Sequence, residues 1–349
     1  MGVTCSNSMM YRAKQRIQAE IFSEDPMTIG LLPDLLLKFQ ELNPGTFTEL
    51  QRYDSGHFRR AILILSPDWF SASMNLYGVD AAHMKHRKYN GVQIVMVGRD
   101  GNLNNRVAAI ALAPIEDHDN YSWFFGRIMS HGFPLATVPV FSDRHKGIVS
   151  ATTELGIFNM FCVRHIIGNM RSDKSVRLAV SQEKFVWAAN AATTVTDFNL
   201  NMQKLAEVNS AAKCYLDQIP VKQWTLFPHF FTARLYGWRT TNFVESEQAR
   251  SLKLKPRLML PYEYFKAYAT IIMSESFTRL KLSKKWMAEQ RLLTPRAEHK
   301  FQLELRDSAN YTVTFSSSNV AFVARVNYPL KQRRVEFCLD ERDELEVAG

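Results

Sequence analysis

The stretch that decides the fold runs from Tyr77 to Asn102 and reads YGVDAAHMKHRKYNGVQIVMVGRDGN. It starts within a short apolar run, Leu76 to Asp80, that ends in an acid. A polar turn, His86 to Asn90, separates it from a second apolar run, Val92 to Gly98, which is rich in the β-branched residues typical of strands. Asp100-Gly101-Asn102 then has the residue types of a tight turn. The stretch therefore predicts two strands, with a third to follow the turn.

Apolar runs further along the chain extend this pattern. The elements predicted after the turn are a strand over Val107 to Ile115, a helix over Tyr121 to Ser130, a strand over Ala136 to Phe141, a helix over Lys146 to Leu155 and a strand over Ile157 to Val163. Upstream, Ile29 to Leu42 has apolar residues at helical spacing, and Ala61 to Leu65 fits either a strand or a short buried helix. We thus predict an α/β fold with a mixed five-stranded sheet and flanking helices.

Two aspartates stand where predicted strands end, Asp80 after the first strand and Asp143 after the fourth. Three antiparallel strands followed by helix-linked strands is the order of an RNase H-like fold, in which the first and fourth strands are neighbours, so these acids should meet. Carboxylates suit Mg²⁺, and two such ions can activate a nucleophile and stabilise a phosphoryl transition state. Capping of the following helix is an equally good explanation of Asp143.

Several blocks in order resemble the Mutator-like (MULE) transposase domain of the DDE/RNase H-like superfamily. The resemblance extends from about Tyr11 to about His299. The blocks are the first-aspartate stretch quoted above, ALAPIEDHDNYSWFF (111–125), PVFSDRHKGIVSA (139–151), FCVRHIIGNMR (161–171) and TTNFVESEQAR (240–250). The resemblance implies that Glu245 is the third catalytic acid, although chemistry alone does not single it out from other glutamates, and Glu247 is only two positions away.

The resemblance implies a complete site and its partners. Asp80, Asp143 and Glu245 would bind two Mg²⁺ (or Mn²⁺) ions. Supporting roles would fall to Cys162, His165, Arg144 and His145, and contacts with DNA to Lys85, Arg87, Lys88, Arg250, Lys253 and Lys255. The partners would be double-stranded DNA, namely terminal inverted repeats and target DNA, in the nucleus; self-association is left open. Cys162 and His165 have no second pair at zinc spacing, so we do not expect a structural zinc.

The predicted domain organisation has three parts. Residues 1–72 form an N-terminal helical segment. Residues 73–300 form the catalytic core, with an all-helical insertion at about 172–239 between the last core strand and Glu245. Residues 301–349 form a small β element, with strands over Tyr311 to Phe315, Val320 to Val326 and Arg334 to Phe337, that leads into a truncated end similar to a SWIM zinc motif.

Composition agrees with a packed protein that binds a polyanion. The 349-residue chain is 46% hydrophobic, with a net charge of +9 and a pI of about 9.3, a balance that favours nucleic acid as a partner. Four widely spaced cysteines predict no disulfide framework. No run approaches the ~18 apolar residues that span a bilayer, and the first residues lack a secretory signal, so we expect a soluble intracellular protein without a membrane partner.

Two functions follow from these observations. The first is a DNA transposase that cleaves phosphodiester bonds at transposon ends and joins the ends to target DNA. The alternative is a domesticated or decayed relative that binds DNA or protein without catalysis. Measurement of metal-dependent nicking, with and without the three acids, separates the two.

Overall fold

The computed structural model describes residues 26–71, 73–230, 232–251 and 255–336. Of the features predicted from the sequence, Lys253, Phe337 and residues 1–25 of the N-terminal helical segment lie outside these ranges; the side chain of Arg250 is not described either. The chain divides into two compact units, residues 1–283 and residues 284–349. The candidate acids all belong to the first unit.

A seven-stranded mixed sheet forms the centre of the first unit. The strands are β1 (Phe47–Arg52), β2 (Phe58–Ile64), β3 (Ser73–His83), β4 (Val92–Asp100), β5 (Asn105–Ala113), β6 (Val140–Ser142) and β7 (Asn159–Phe161). Their spatial order is β1-β2-β5-β4-β3-β6-β7. The meander β3-β4-β5 is antiparallel, and β6 and β7 run parallel to β3. The prediction of an α/β fold with a mixed sheet is confirmed.

The prediction of five strands is wrong, because β1 and β2 add two strands beyond β5. Ala61 to Ile64 pair antiparallel with Leu112 to Ala109, and β1 then pairs with β2. β2 is buried almost throughout, and a short apolar run of that kind has no periodicity that distinguishes a strand from a buried helix. The segment 1–72 is therefore not wholly helical, because it supplies two strands after its helix α1 (Pro26–Leu42).

Two helices follow the meander and cover the sheet. α2 (His118–Ser130) buries Tyr121, Phe124 and Phe125, and α3 (Lys146–Glu154) packs against it. Both contribute to the main apolar core, together with the first half of α9 (Pro261–Ala288). This packing holds two acid-bearing segments rigid. One is the end of β5 with the turn before α2, and the other is the end of β6 with the turn before α3.

A second apolar core lies within the helices between β7 and Glu245. These helices are α4 (Val163–Ser172), α5 (Glu183–Ala191), α6 (Val195–Val208) and α7 (Ser210–Asp217). The predicted insertion at about 172–239 is not all-helical: α5 to α7 lie within it, and irregular chain with short 3₁₀ turns continues from there to α8 (Asn242–Ser251). The predicted strand at Ile157 to Val163 is too long, since β7 ends at Phe161 and α4 starts at Val163.

The second unit contains α10 (Pro295–Ser308) and the antiparallel strands β8 (Tyr311–Phe315), β9 (Val320–Arg325) and β10 (Arg333–Glu336) in the order β10-β9-β8. The prediction of a small C-terminal β element is confirmed. Within the described part of this unit only two residues, Ala321 and Ala324, are buried. In the described residues of the whole chain, no helix combines the length and apolar character that a bilayer crossing requires.

Candidate active site

Strand pairing brings Asp80 and Asp143 to the same place. β3 and β6 are parallel neighbours, with Tyr77 opposite Val140 and Gly78 opposite Phe141. Asp80 lies two residues beyond Gly78, and Asp143 lies two residues beyond Phe141. Because parallel strands leave a sheet at the same edge, this register carries both carboxylates to one edge of the sheet.

Asp80 is not the last residue of its strand, contrary to prediction. β3 continues to His83 because Asp80 to His83 stay paired with Val95 to Val92 of β4. The parallel pairing with β6 ends earlier, at Gly78. Asp80 therefore lies where β3 is no longer paired with β6 but is still paired with β4. A rigid strand thus holds its side chain next to an unpaired strand edge.

The carboxyl group of Asp80 is strongly perturbed by this position. Burial raises its pKa from 3.8 to about 7, with further increases from the nearby charges of Asp143 and Glu245, while His165 and a hydrogen bond from the Ala81 backbone act in the opposite direction. Two of the three predicted acids thus act electrostatically on the third. Clusters of acids that disfavour one another's ionised form are typical of functional sites.

Asp143 takes part in a turn and does not cap α3. Its Oδ1 accepts a hydrogen bond from the backbone N–H of His145 at 3.0 Å. His145 is the N-cap residue of α3, where its Nδ1 accepts from the backbone N–H of Gly147 at 3.3 Å. The capping explanation of Asp143 is therefore wrong, and the predicted supporting residue His145 is the one that orders the start of the helix.

Glu245 lies in the first turn of α8, and this helix is fixed against β3. A β-carbon added to Gly78 would lie 2.4 Å from Cγ2 of Val244 and 2.6 Å from Cζ of Phe243. Only glycine allows such a close approach, so Gly78 is the contact point between β3 and α8. The helix that carries the third acid thus rests on the strand that carries the first, two residues before Asp80.

The side chains of Asn105 and Cys162 hold the same helix through hydrogen bonds. The Asn105 side-chain amide donates to the Phe243 carbonyl oxygen at 2.7 Å and to Oγ of Ser246 at 2.9 Å. At the beginning of α8, the backbone N–H of Thr241 donates to the Cys162 Sγ at 3.3 Å. A buried thiol therefore satisfies a backbone donor that would otherwise be unpaired at the start of the helix.

Cys162 and His165 lie at a junction of strand and helix, after β7 and at the start of α4. Cys162 is the N-cap of α4 and is fully buried, and His165 lies in the first turn of that helix. Contact with Cys162 raises the pKa of His165 to about 9 against the opposing effect of burial, although the buried Nδ1 has no well-aligned hydrogen bond. The pKa of Cys162 is lowered, since hydrogen bonds to the thiolate outweigh its burial.

The carboxylate of Glu245 faces two cationic side chains. Its Oε1 lies 3.9 Å from Nε2 of His165, and its Oε2 lies 3.7 Å from Nη1 of Arg164. All three side chains are about half exposed, so these contacts are weak and a change of rotamer is inexpensive. Glu247, the alternative acid, is buried at 1% exposure. The structure thus places Glu245, and not Glu247, among the groups that act on Asp80.

Arg144 connects the acidic edge to the helical insertion. Its Nη1 donates to the Tyr215 hydroxyl of α7 at 2.9 Å, and its guanidinium lies over the rings of Tyr215 and Phe161 at 5.5 and 5.8 Å. Such a planar cation above an aromatic ring is a stabilising contact. The predicted supporting residue next to Asp143 is therefore engaged in a fixed structural contact.

Basic residues predicted to bind DNA lie together beyond the end of β3. Lys85, Arg87 and Lys88 are exposed on the turn between β3 and β4. The backbone N–H of Lys85 donates to the Arg257 carbonyl at 2.6 Å, and Nε of Arg257 donates to the His83 carbonyl at 2.7 Å. This contact brings the segment that starts at Lys255 beside the turn, so two basic stretches distant in sequence form one surface.

No family model and no curated protein matches this sequence. Within the described ranges, no three His, Cys, Asp or Glu side chains form a ready-made metal site. Both cysteines in those ranges, Cys162 and Cys214, are free thiols.

Proposed function

We propose that this chain is a metal-dependent nucleotidyl-transfer enzyme acting on DNA, of the Mutator-like transposase type. The observation that carries the proposal is the in-register parallel pairing of β3 and β6, which delivers Asp80 and Asp143 to one edge of the sheet. The order of the five central strands, β5-β4-β3-β6-β7, supports an RNase H-like core, because its first and fourth strands are neighbours and its first three are antiparallel.

The chemistry of the side chains fits divalent cations. Asp80, Asp143 and Glu245 offer only oxygen donors, as Mg²⁺ and Mn²⁺ prefer. When bound, such ions would activate a water or a 3′-hydroxyl and stabilise the charge that develops on the phosphate. Glu245 would leave its weak contacts with Arg164 and His165 and turn toward the two aspartates, a movement that its partial exposure permits.

The chain's own residues would prepare the site in three ways. β3 holds Asp80 on a rigid strand, the turn after β6 orients Asp143 through the His145 N–H, and the contact at Gly78 sets the position of α8. Arg164 and His165, which face Glu245 in its present rotamer, would become free to contact a phosphate group when the carboxylate turns. The site is thus assembled from strand, turn and helix, each packed into the main core.

The substrate surface follows from the position of the basic residues. β3 ends at His83, three residues after Asp80, a separation of ~10 Å along a strand, and the β3–β4 turn follows it. Lys85, Arg87, Lys88 and Lys255 are exposed there and suit contacts with phosphates, which position DNA without reading its sequence. We infer that duplex DNA crosses this end of the sheet, in a nuclear protein.

The test is metal-dependent nicking and strand transfer by the full chain on duplex DNA containing inverted-repeat ends. Wild type is compared with Asp80→Ala, Asp143→Ala and Glu245→Ala, and Glu247→Gln is the control that distinguishes the two neighbouring glutamates. We expect each of the first three to lose activity while still binding DNA. Wild type that binds DNA but never cuts it in Mg²⁺ or Mn²⁺ would overturn catalysis and favour a binding protein derived from a transposase.

A further inference from the structure

A fourth acid, Glu116, lies next to the proposed catalytic edge. It stands in the turn between β5 and α2, and its side chain is only 19% exposed. The hydroxyl of Tyr121 donates to Oε1 of Glu116 at 2.7 Å. Tyr121 itself is buried at 1% exposure, so a rigid aromatic side chain of α2 holds the carboxylate in one place.

Glu116 reaches the turn that orients Asp143 through a single residue. Its Oε1 lies 3.5 Å from Nδ1 of His145, a contact that is attractive in the tautomer with the proton on Nδ1, where it takes the place of the 3.3 Å contact of Nδ1 with the Gly147 N–H. The ring of His145 also lies against that of Tyr121 with centroids 6.2 Å apart. The backbone N–H of the same histidine donates to Oδ1 of Asp143. The contacts therefore form a continuous series, from Tyr121 to Glu116, then to His145 and finally to Asp143.

Backbone packing keeps the two ends of this series together. A β-carbon added to Gly147, in the first turn of α3, would lie 2.7 Å from the carbonyl carbon of Asp117. The residue after Glu116 thus abuts the start of the helix that His145 caps. The charges of Asp143 and Asp80 also reach this position, because both add to the rise in the pKa of Tyr121, which is caused first by burial and then by Glu116.

We propose that Glu116, held by Tyr121, is a positioning residue that fixes the His145 turn and through it the direction of the Asp143 carboxylate. This inference rests on the proposed function. The turn before α2 thereby takes part in the reaction without contacting the reacting atoms. Groups that orient a ligating carboxylate typically change metal affinity or activity by about 10–100-fold when removed.

Two conservative variants test the role without removing bulk. Glu116→Gln keeps an acceptor for the Tyr121 hydroxyl but loses the charge beside His145, and Tyr121→Phe removes only the hydroxyl. Glu154→Gln is the matched control, because Glu154 is an exposed acid on α3 whose partner, His118 at 3.0 Å, is exposed as well. The readouts are kcat, KM for DNA, the Mg²⁺ concentration that gives half-maximal nicking, and Tm.

We expect both variants to lower kcat about tenfold and to raise the half-maximal Mg²⁺ concentration, with KM for DNA unchanged. The double variant should be no worse than the poorer single variant, since both act through one series of contacts. Activity equal to that of Glu154→Gln, or a loss that follows Tm alone, would overturn the inference and leave the proposed function intact. A wild type without metal-dependent nicking would overturn both.

Discussion

The perturbed carboxyl of Asp80 makes a prediction about stability that needs no substrate. Replacement of Asp80 by Asn keeps the shape of the side chain and removes its charge. In the metal-free protein near pH 8, the carboxylate is ionised while partly buried beside the charges of Asp143 and Glu245. We therefore expect Asp80→Asn to be more stable than wild type in the presence of a chelator, although most substitutions of core strands destabilise.

The magnitude follows from the pKa. A rise from 3.8 to about 7, at about 1.4 kcal/mol for each unit, sets an upper limit of roughly 4 kcal/mol for the free-energy cost of the ionised carboxylate. Asp80 is partly exposed and its neighbours can relax, so we expect a gain of about 1–2 kcal/mol in the variant. That gain corresponds to a Tm increase of roughly 2–6 °C.

The pH dependence has a definite sign. The folded protein retains a proton on Asp80 that the unfolded chain has released between pH 4 and pH 7. This group's contribution therefore makes wild type less stable as pH rises through that interval, and it is constant above about pH 7.5. The advantage of Asp80→Asn should be largest at pH 8 and should shrink markedly by pH 5.

The assay is thermal unfolding of the full chain with chelator and with excess Mg²⁺, at pH 5 and pH 8. Asp34→Asn, at an exposed position of α1, is the matched control and should show no such difference. Mg²⁺ should stabilise wild type and not Asp80→Asn, because a ligand that binds only the folded state raises Tm. A variant that melts at or below the wild-type temperature in chelator at pH 8 would refute the reasoning.

Three further predictions concern other parts of the site. Gly78→Val should displace α8, with a loss of about 1–3 kcal/mol of stability from overpacking and of nicking as well; circular dichroism and the nicking assay check this, and full activity would contradict it. Joint replacement of Lys85, Arg87 and Lys88 by Ala should weaken DNA binding and reduce the slope of log K against log salt by about 2–3, measured by fluorescence anisotropy; an unchanged slope would place DNA elsewhere. The pKa of His165 is raised from 6.5 to about 9, so its protonation should stabilise the fold fully below pH 6.5, and this stabilisation should be lost by about pH 9.5. Tm of wild type should therefore fall between pH 7.5 and pH 9.5. The same fall in His165→Asn would exclude this cause.

Local pattern was sufficient for much of the central sheet. The structure contains the strands that were predicted from the apolar runs before Asp80 and Asp143. It also contains the predicted turn between two strands at Asp100 to Asn102. In that turn, Oδ1 of Asp100 accepts from the backbone of Asn102 and Asn104. Such features depend on residues a few positions apart, so their signals are complete within a short stretch of sequence.

The limits of each strand depended on its neighbours. β3 passes Asp80 because β4 continues to pair with it, and β2 is a strand because β5 accepts it at the edge of the sheet. Neither partner can be read from the strand's own residues, since pairing is set by hydrogen bonds between segments distant in sequence. A glycine inside an apolar run, as at Gly78, is a local signal of the close approach of another segment.

The sequence by itself thus determined the fold class and offered Asp80 and Asp143 as acids at strand positions, while it supplied Glu245 only through resemblance. The tertiary structure alone decided that the charge of Glu245 acts on Asp80 and that Glu247 is buried, and it alone brought Glu116 to the His145 turn. The physical reason is that burial, charge interactions and the thiol contact of Cys162 act across space, between residues that the chain separates by dozens of positions.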